Sequence, residues 1–187
     1  MTKIMGLDIS STTVGLCILS YSDSSITLDH VEYIKPLKTG NIFERLTKLR
    51  NDIQERIDKF NPDEFAIEDI ILFMKGKSTA KTITTLAIFN RTVGLSIFDK
   101  TNKLPILYNT LKIRHAIKQD GIFPSKQDIP ELVAKLLDIK FPYANIAKGK
   151  NKGKPRVENE DMADSIAVAL CHIFLGRKPK KEKKKKK

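Results

Sequence analysis

Three short apolar runs crowd the first 34 residues, and helical and strand periodicity alternate after them, which restricts the chain to a mixed sheet covered by helices. Ile4 to Ile9 and Val14 to Ser20 are joined by Ser10-Ser-Thr-Thr13, and Ile26 to Ile34 follows after a short break. Runs of this length with such short connections pair as an antiparallel meander. From Asn41 to Phe60 the period changes. Phe43, Leu46, Leu49, Ile53, Ile57 and Phe60 step by three or four, the stripe of an amphipathic helix that stops before Asn61-Pro62. A strand over Glu64 to Leu72, a long helix from about Ser78 to Asp99 and a short strand from Leu104 to Tyr108 come next. Strand-helix-strand-helix-strand order predicts parallel neighbours. Further helices are predicted at about Leu111 to Lys118, Lys126 to Leu137 and Glu158 to Phe174. The expected fold class is α/β, a mixed five-stranded sheet flanked by helices, with residues 1–176 as one domain and 177–187 as a disordered lysine-rich tail.

A chain of 187 residues buries enough surface for a proper core. With 41% hydrophobic and 30% charged residues it lies outside the disordered, collagen-like and disulfide-scaffold classes. No apolar run approaches the roughly 18 residues of a membrane span, and no signal peptide pattern opens the chain. These features predict an intracellular, cytoplasmic protein, associated with nucleoid or viral DNA, and no membrane partner. Cys17 and Cys171 sit in apolar surroundings with no CxxC or Cys/His spacing, so they read as small buried residues. That excludes a structural zinc site and leaves oxygen-ligated metals open.

The net charge of +12 points to a polyanionic partner. Residues 177–187 carry nine positive charges against Glu182 alone, so most of the excess lies in that tail. A second basic stretch, Lys148-Gly-Lys150-Asn-Lys152-Gly-Lys154-Pro-Arg156, reads as a flexible, Gly-interrupted loop placed just before an acidic helix.

Acids stand at the ends of the apolar elements. Asp8 closes Ile4-Met-Gly-Leu-Asp8 and shares a face with Ile4 and Gly6; it is either a cap for the following Ser-Ser-Thr-Thr turn or a functional carboxylate. In Phe65-Ala-Ile-Glu68-Asp69 alternation sends Glu68 and Asp69 to opposite faces, and the small Ala66 beside Glu68 leaves room there for a ligand. Asp161 and Asp164, spaced i, i+3, share one face of the last helix. Helix-dipole capping explains Glu158 and Glu160 well and Asp164 poorly, because Asp164 lies beyond the capping positions. Four acids on three separated elements fit a carboxylate site for Mg²⁺ or Mn²⁺. Two such ions can activate water and stabilise the leaving oxygen of a phosphodiester.

These residues carry a resemblance. Gly6-Leu-Asp8 with Ser11 and Gly15, then Phe65-Ala-Ile-Glu68, then Asp161-Met-Ala-Asp164-Ser-Ile-Ala-Val-Ala, is similar in order and spacing to the RuvC family of Holliday-junction resolvases, of the ribonuclease H-like superfamily. The resemblance covers most of residues 3 to 175. It implies a crossover junction endodeoxyribonuclease in which Asp8, Glu68, Asp161 and Asp164 are the catalytic and metal-binding set, and in which a homodimer presents two sites to a four-way DNA junction. It implies paired metal-dependent nicks with 5′-phosphate ends, serving recombination, repair or replication. By the same resemblance Arg114, or Lys112, and Lys126 stand where the family has basic residues at the site, and each equally fits a solvated helix position. Phe73 and Met74, between Glu68 and the long helix, fall where the family inserts an aromatic wedge, or else anchor a buried loop. Lys75, Lys77, Lys148, Lys150, Lys152 and Lys154 complete the expected DNA contacts.

Departures and rivals remain at the level of sequence. The family's Asp-Pro-Gly turn reads Asp8-Ile-Ser10, nearer to the nuclease domains of RNA-guided effectors. Asp8-Ile-Ser-Ser-Thr-Thr-Val-Gly15 is also similar to the phosphate-binding hairpin of actin-like kinases, which need two such domains, more than this length holds. A non-cleaving branched-DNA-binding protein, or a nuclease for other branched DNA, is the alternative function. His30 and His115 offer no triad with a placed Ser or Cys, and His172 reads as a helix-end residue.

Overall fold

A computed structural model describes residues 1–70, 79–142 and 144–176. Strands β1 (Thr2–Ile9), β2 (Val14–Tyr21) and β3 (Ile26–Ile34) form the antiparallel meander. Helix α1 (Ile42–Phe60) then crosses to β4 (Glu64–Glu68), which runs parallel to β1, and α2 (Ala80–Thr101) leads to β5 (Ile106–Tyr108), parallel to β4. The sheet order is β3-β2-β1-β4-β5. Helices α3 (Thr110–Ile117), α4 (Ile129–Leu136) and α5 (Glu158–Gly176) complete the fold.

Local chemistry sets the element ends. Asn41 caps α1 in a reciprocal box with Glu44, and Asn61, in the left-handed conformation at φ 46°, closes it. Thr79 caps α2, whose far end is closed by Asn102 at φ 56°. The predicted strand over Glu64 to Leu72 is shorter than expected and ends at Glu68. The Asp69 N–H donates a last bond to the Tyr108 carbonyl (2.8 Å), and the Asp69 carboxylate accepts from the Ile70 N–H (3.0 Å), turning the chain out of the sheet. The single helix predicted over Lys126 to Leu137 is a 3-10 turn, Lys126–Asp128, followed by α4, with Pro130 in the first turn of α4, where its missing N–H has no intrahelical partner to lose.

The central strand β1 is buried on both faces, which is why it reads as a near-continuous apolar run. Met5 and Leu7 pack with Leu49, Ile53, Phe89, Val93 and Ile97 beneath α1 and α2. Ile4, with Cys17, Leu19 and Ala66 of the neighbouring strands, packs beneath α5, α3 and α4. Both cysteines are buried as expected, and burial pushes the Cys17 thiol up to about 12, so it behaves as a small apolar group.

The seat of α5 on the sheet is set by two glycines. A Cβ on Gly15 would lie 1.9 Å from the Asp161 carbonyl oxygen, and one on Gly6 would lie 2.4 Å from that of Ser165. Only a residue without a side chain lets the helix backbone come this near. Gly15→Ala therefore pushes the first turn of α5 off the sheet. A loss of about 1–3 kcal/mol, measured by denaturant titration, is expected.

Candidate active site

The carboxyl ends of β1 and β4 open side by side at one end of the sheet, the usual place for a ligand crevice in folds with parallel strands. Asp8 is the penultimate residue of β1 and Glu68 the last of β4. Asp8 stands opposite Gly15 in the β1–β2 ladder, so the close approach of α5 at Gly15 delivers Asp161 and Asp164 to the same place. All four carboxylates line one cavity of ≈ 290 Å³ with Ser10, Thr110, Arg114 and Lys126. Each is half-buried, open to the cavity and closed behind. The turn after β1 is held by Ser10, whose hydroxyl accepts from the Thr13 N–H (2.9 Å) and donates to the Thr13 carbonyl (2.8 Å). Asp8 therefore has no capping role, and among the described residues no hydrogen bond engages its carboxylate.

The acids are crowded. Burial first, then the charges of Glu68, Asp164 and Asp161, hold Asp8 well above the usual carboxylate range, with Lys126 opposing. Asp164 is pushed from 3.8 to about 7 by burial, then by Glu68 and Asp161, against Lys126 and Arg114. Burial also raises Glu68, although the Thr110 hydroxyl and the charges of Arg114 and Lys126 pull it down, and it raises Asp161 against the pull of Lys126. Burial works against the charge of Lys126, but Asp164, Glu160 and Asp161 together raise its pKa. Among the described residues no three acids are already closed round one point as a ligand set; they face the cavity from three walls. The donor chemistry still fits a hard divalent cation, because the wall offers four carboxylates and neither thiolate nor imidazole.

The other expected site residues divide clearly. Arg114 and Lys126 line the cavity, and the Lys126 ammonium also pairs with Glu160 at 3.3 Å. Lys112, the alternative to Arg114, is exposed and lies over the Tyr108 ring (5.1 Å), outside the cavity lining. Lys148, Lys150, Lys152 and Lys154 lie on a separate exposed segment before α5. Phe73, Met74, Lys75, Lys77 and residues 177–187 lie outside the described residues. Asp69 points away from the cavity acids and pairs with Arg91 of α2 at 3.1 Å. His172 sits elsewhere, between Glu64 (3.1 Å) and the Tyr108 hydroxyl (3.1 Å), as a packing residue of α5.

Two residues that sequence reasoning missed hold Glu68 in place. The Thr110 hydroxyl donates to the Glu68 carboxylate (2.5 Å), and the buried Asn90 amide donates to the Glu68 carbonyl (2.9 Å). Arg91 in turn donates to the Asn90 side-chain oxygen (2.7 Å) and so steadies its amide. The available signal for Asn90 was its place three and seven residues before Val93 and Ile97, on the buried face of α2. Thr110 carried none, because its contact depends on the β4–β5 pairing.

The family model for crossover junction endodeoxyribonuclease RuvC matches residues 4–172. The chain belongs to the RuvC family. The RuvC of Finegoldia magna is 29% identical over 174 residues, covering 92% of this chain and 93% of that relative. A RuvC of Helicobacter pylori is 25% identical over 170 residues, covering 91% and 95%. Among solved structures, Thermus thermophilus RuvC in complex with Holliday junction substrate matches with a TM-score of 0.71 at 19% identity, over 94% of this chain and 96% of that one. The yeast mitochondrial Holliday junction resolvase matches with a TM-score of 0.61 at 16% identity, over 92% and 78%. These structural likenesses place the mixed five-stranded sheet in the ribonuclease H-like fold of RuvC. Membership of the RuvC family makes the chain a junction-resolving endonuclease of the metal-dependent kind.

The crowding gives a pH prediction with a definite sign. A carboxyl group whose folded pKa is raised stabilises the fold fully below its unfolded value, and that contribution is lost as pH rises through the folded value. For Asp164 the window runs from about 4 to about 7. In EDTA, Asp164→Asn should therefore be more stable than the parent protein by an amount that grows between about pH 4 and pH 7 and then levels off, reaching about 1 kcal/mol by denaturant titration. For Glu68, Thr110→Val should weaken Mn²⁺ binding about 10-fold or more by calorimetry, and Thr110→Ser should restore it.

Proposed function

We propose that this chain resolves four-way DNA junctions by metal-assisted phosphodiester hydrolysis, with Asp8, Glu68, Asp161 and Asp164 as ligands for two Mg²⁺ ions that Mn²⁺ can replace. The observation that carries the reading is that these four carboxylates, from three elements far apart in the chain, line one cavity with two cations. Bound ions would activate water for in-line attack and stabilise the leaving 3′ oxygen, giving 5′-phosphate ends. The chain's own residues do the rest. Glu68 is held by Thr110 and Asn90, so its carboxylate presents a fixed edge. Arg114 and Lys126 reduce the repulsion that four acids exert on a phosphate, and they offer donors to its oxygens. No side-chain nucleophile is needed. Of the hydroxyls that line the cavity, Ser10 is committed to its turn and Thr110 to Glu68, and His172 is committed to Glu64 and Tyr108.

A junction has opposed strands to cut, and the surface of α2 supplies a means of pairing two copies. Ile88, Leu95 and Phe98 are exposed along one side of α2, Leu104 is exposed just before β5, and Ile106 is exposed on β5, the edge strand of the sheet. We assign this apolar face to the homodimer contact. Among the described residues no helix is long and apolar enough to cross a membrane, and the polyanion to which the basic surface answers is branched DNA inside the cell.

The test is cleavage of a labelled four-way junction, a linear duplex and single strands in Mg²⁺, Mn²⁺ or EDTA. Paired nicks on the junction alone are expected, abolished by EDTA and reduced at least about 100-fold by Asp8→Asn. Leu95→Glu should leave a monomer that nicks singly. Tight junction binding without cutting in either metal would instead make the chain a branched-DNA-binding protein. Equal cutting of every substrate would make it a nuclease with another target.

A further inference from the structure

The stretch expected to be a flexible loop is folded. Residues 145–156 form a short hairpin in which Asn145 pairs with Pro155, the Ile146 N–H donates to the Lys154 carbonyl (2.9 Å), and the Gly153 N–H donates back to the Ile146 carbonyl (2.9 Å). The tip is turned by the Lys152 N–H on the Gly149 carbonyl (3.0 Å), and Gly149 and Gly153 supply φ values of 88° and 85° that L side chains rarely adopt. Its base is fastened to α5. Asn159, 3% exposed, accepts from the Ala144 N–H (2.7 Å) and donates to the Ala144 carbonyl (3.0 Å), which also accepts from the Arg156 N–H (2.9 Å). Asn159 stands two residues before Asp161.

The cations of this region fall into two groups. Lys35 and Arg156 both reach Glu158, and Lys126 reaches Glu160, so these are neutralised within the protein. Lys148, Lys150, Lys152 and Lys154 are all exposed, and among the described residues none of them forms an ion pair. Residues 145–156 contain no acid. Four uncompensated charges at every second position of an exposed turn form a row of cations that suits a row of phosphates.

We propose that this hairpin is a phosphate clamp that grips the backbone of a DNA arm at a fixed offset from the four-acid cavity, with Asn159 as the positioning residue that sets the offset. The proposal rests on the nuclease reading above and adds a second contact surface to it. The hairpin is fastened through Asn159 to the helix that carries Asp161 and Asp164, so a strand held by its lysines is held in register with those carboxylates.

The experiment measures binding by the full chain of a labelled junction and of a linear duplex across 50 to 300 mM salt, beside a variant carrying Lys148→Ala, Lys150→Ala, Lys152→Ala and Lys154→Ala. The variant should lose about 3–4 units of the log-log salt slope on both DNAs and bind about 10- to 100-fold more weakly near 0.1 M salt. Its melting temperature and its Mn²⁺ binding by calorimetry should be unchanged. Asn159→Ala should keep the slope and bind within about twofold, yet cut bound junction about 10-fold more slowly or at scattered positions. An unchanged slope and affinity in the four-lysine variant would overturn the clamp while leaving the nuclease standing. If the parent chain cuts no junction, the nuclease reading fails, and the duplex salt slope still decides the clamp. Normal cutting rate and position in a folded Asn159→Ala would remove the positioning role.

Discussion

The approach of one helix backbone to one sheet face is the contact on which the rest of the molecule depends. Gly6 and Gly15 leave a trough in β1 and β2, and the carbonyls of Ser165 and Asp161 occupy it. The buried Cys17 thiol donates to that same Ser165 carbonyl (3.3 Å). On the helix side the matching surface is small as well, with the Ala169 methyl facing Gly6 beside the Ser165 carbonyl. Close packing of this kind is unforgiving of added volume. It is also what brings two acids of the last helix beside acids that end the first and fourth strands.

That convergence works against the fold. Burial raises the pKa of all four carboxylates, the neighbouring acids add to it at Asp8 and Asp164, and the two cations present offset only part of the effect. The conflict is local, and Asp8, Glu68 and Asp164 break the apolar rhythm of the elements that carry them. Natural sequences concentrate such inconsistencies where function requires them. The apolar core on both faces of β1 absorbs the cost.

For the same reason the four acids were legible in the sequence. Asp8 and Glu68 interrupt period-two apolar runs, and Asp164 sits too deep in its helix to be a cap. The sheet order followed from run length and from the α1 and α2 crossovers. What was not legible depended on partners distant in sequence. Thr110 meets Glu68 across 42 residues because β5 lies beside β4, and that register cannot be counted from spacing. The end of β4 was misjudged because Asp69 turns the chain by a bond to its own neighbour, a choice that Ile70 and the residues after it, all apolar to Phe73, conceal. The hairpin was missed because Gly and Lys read as loop, while its shape comes from Asn159 clasping Ala144.

The location of α5 in the chain has a consequence for how the protein is made. Synthesis proceeds from the N-terminus, so β1 to β5 leave the ribosome before the helix that covers one of their faces. Until Glu158 to Gly176 have emerged, Ile4, Cys17, Leu19 and Ala66 lack their main cover, and a chain arrested there exposes an apolar sheet to chaperones and proteases. The nascent chain also lacks Asp161 and Asp164, so no half-made molecule holds a complete acid set. On the proposed reading of the four acids, completion of this fold and completion of the acid set are thus a single event, timed by the emergence of α5.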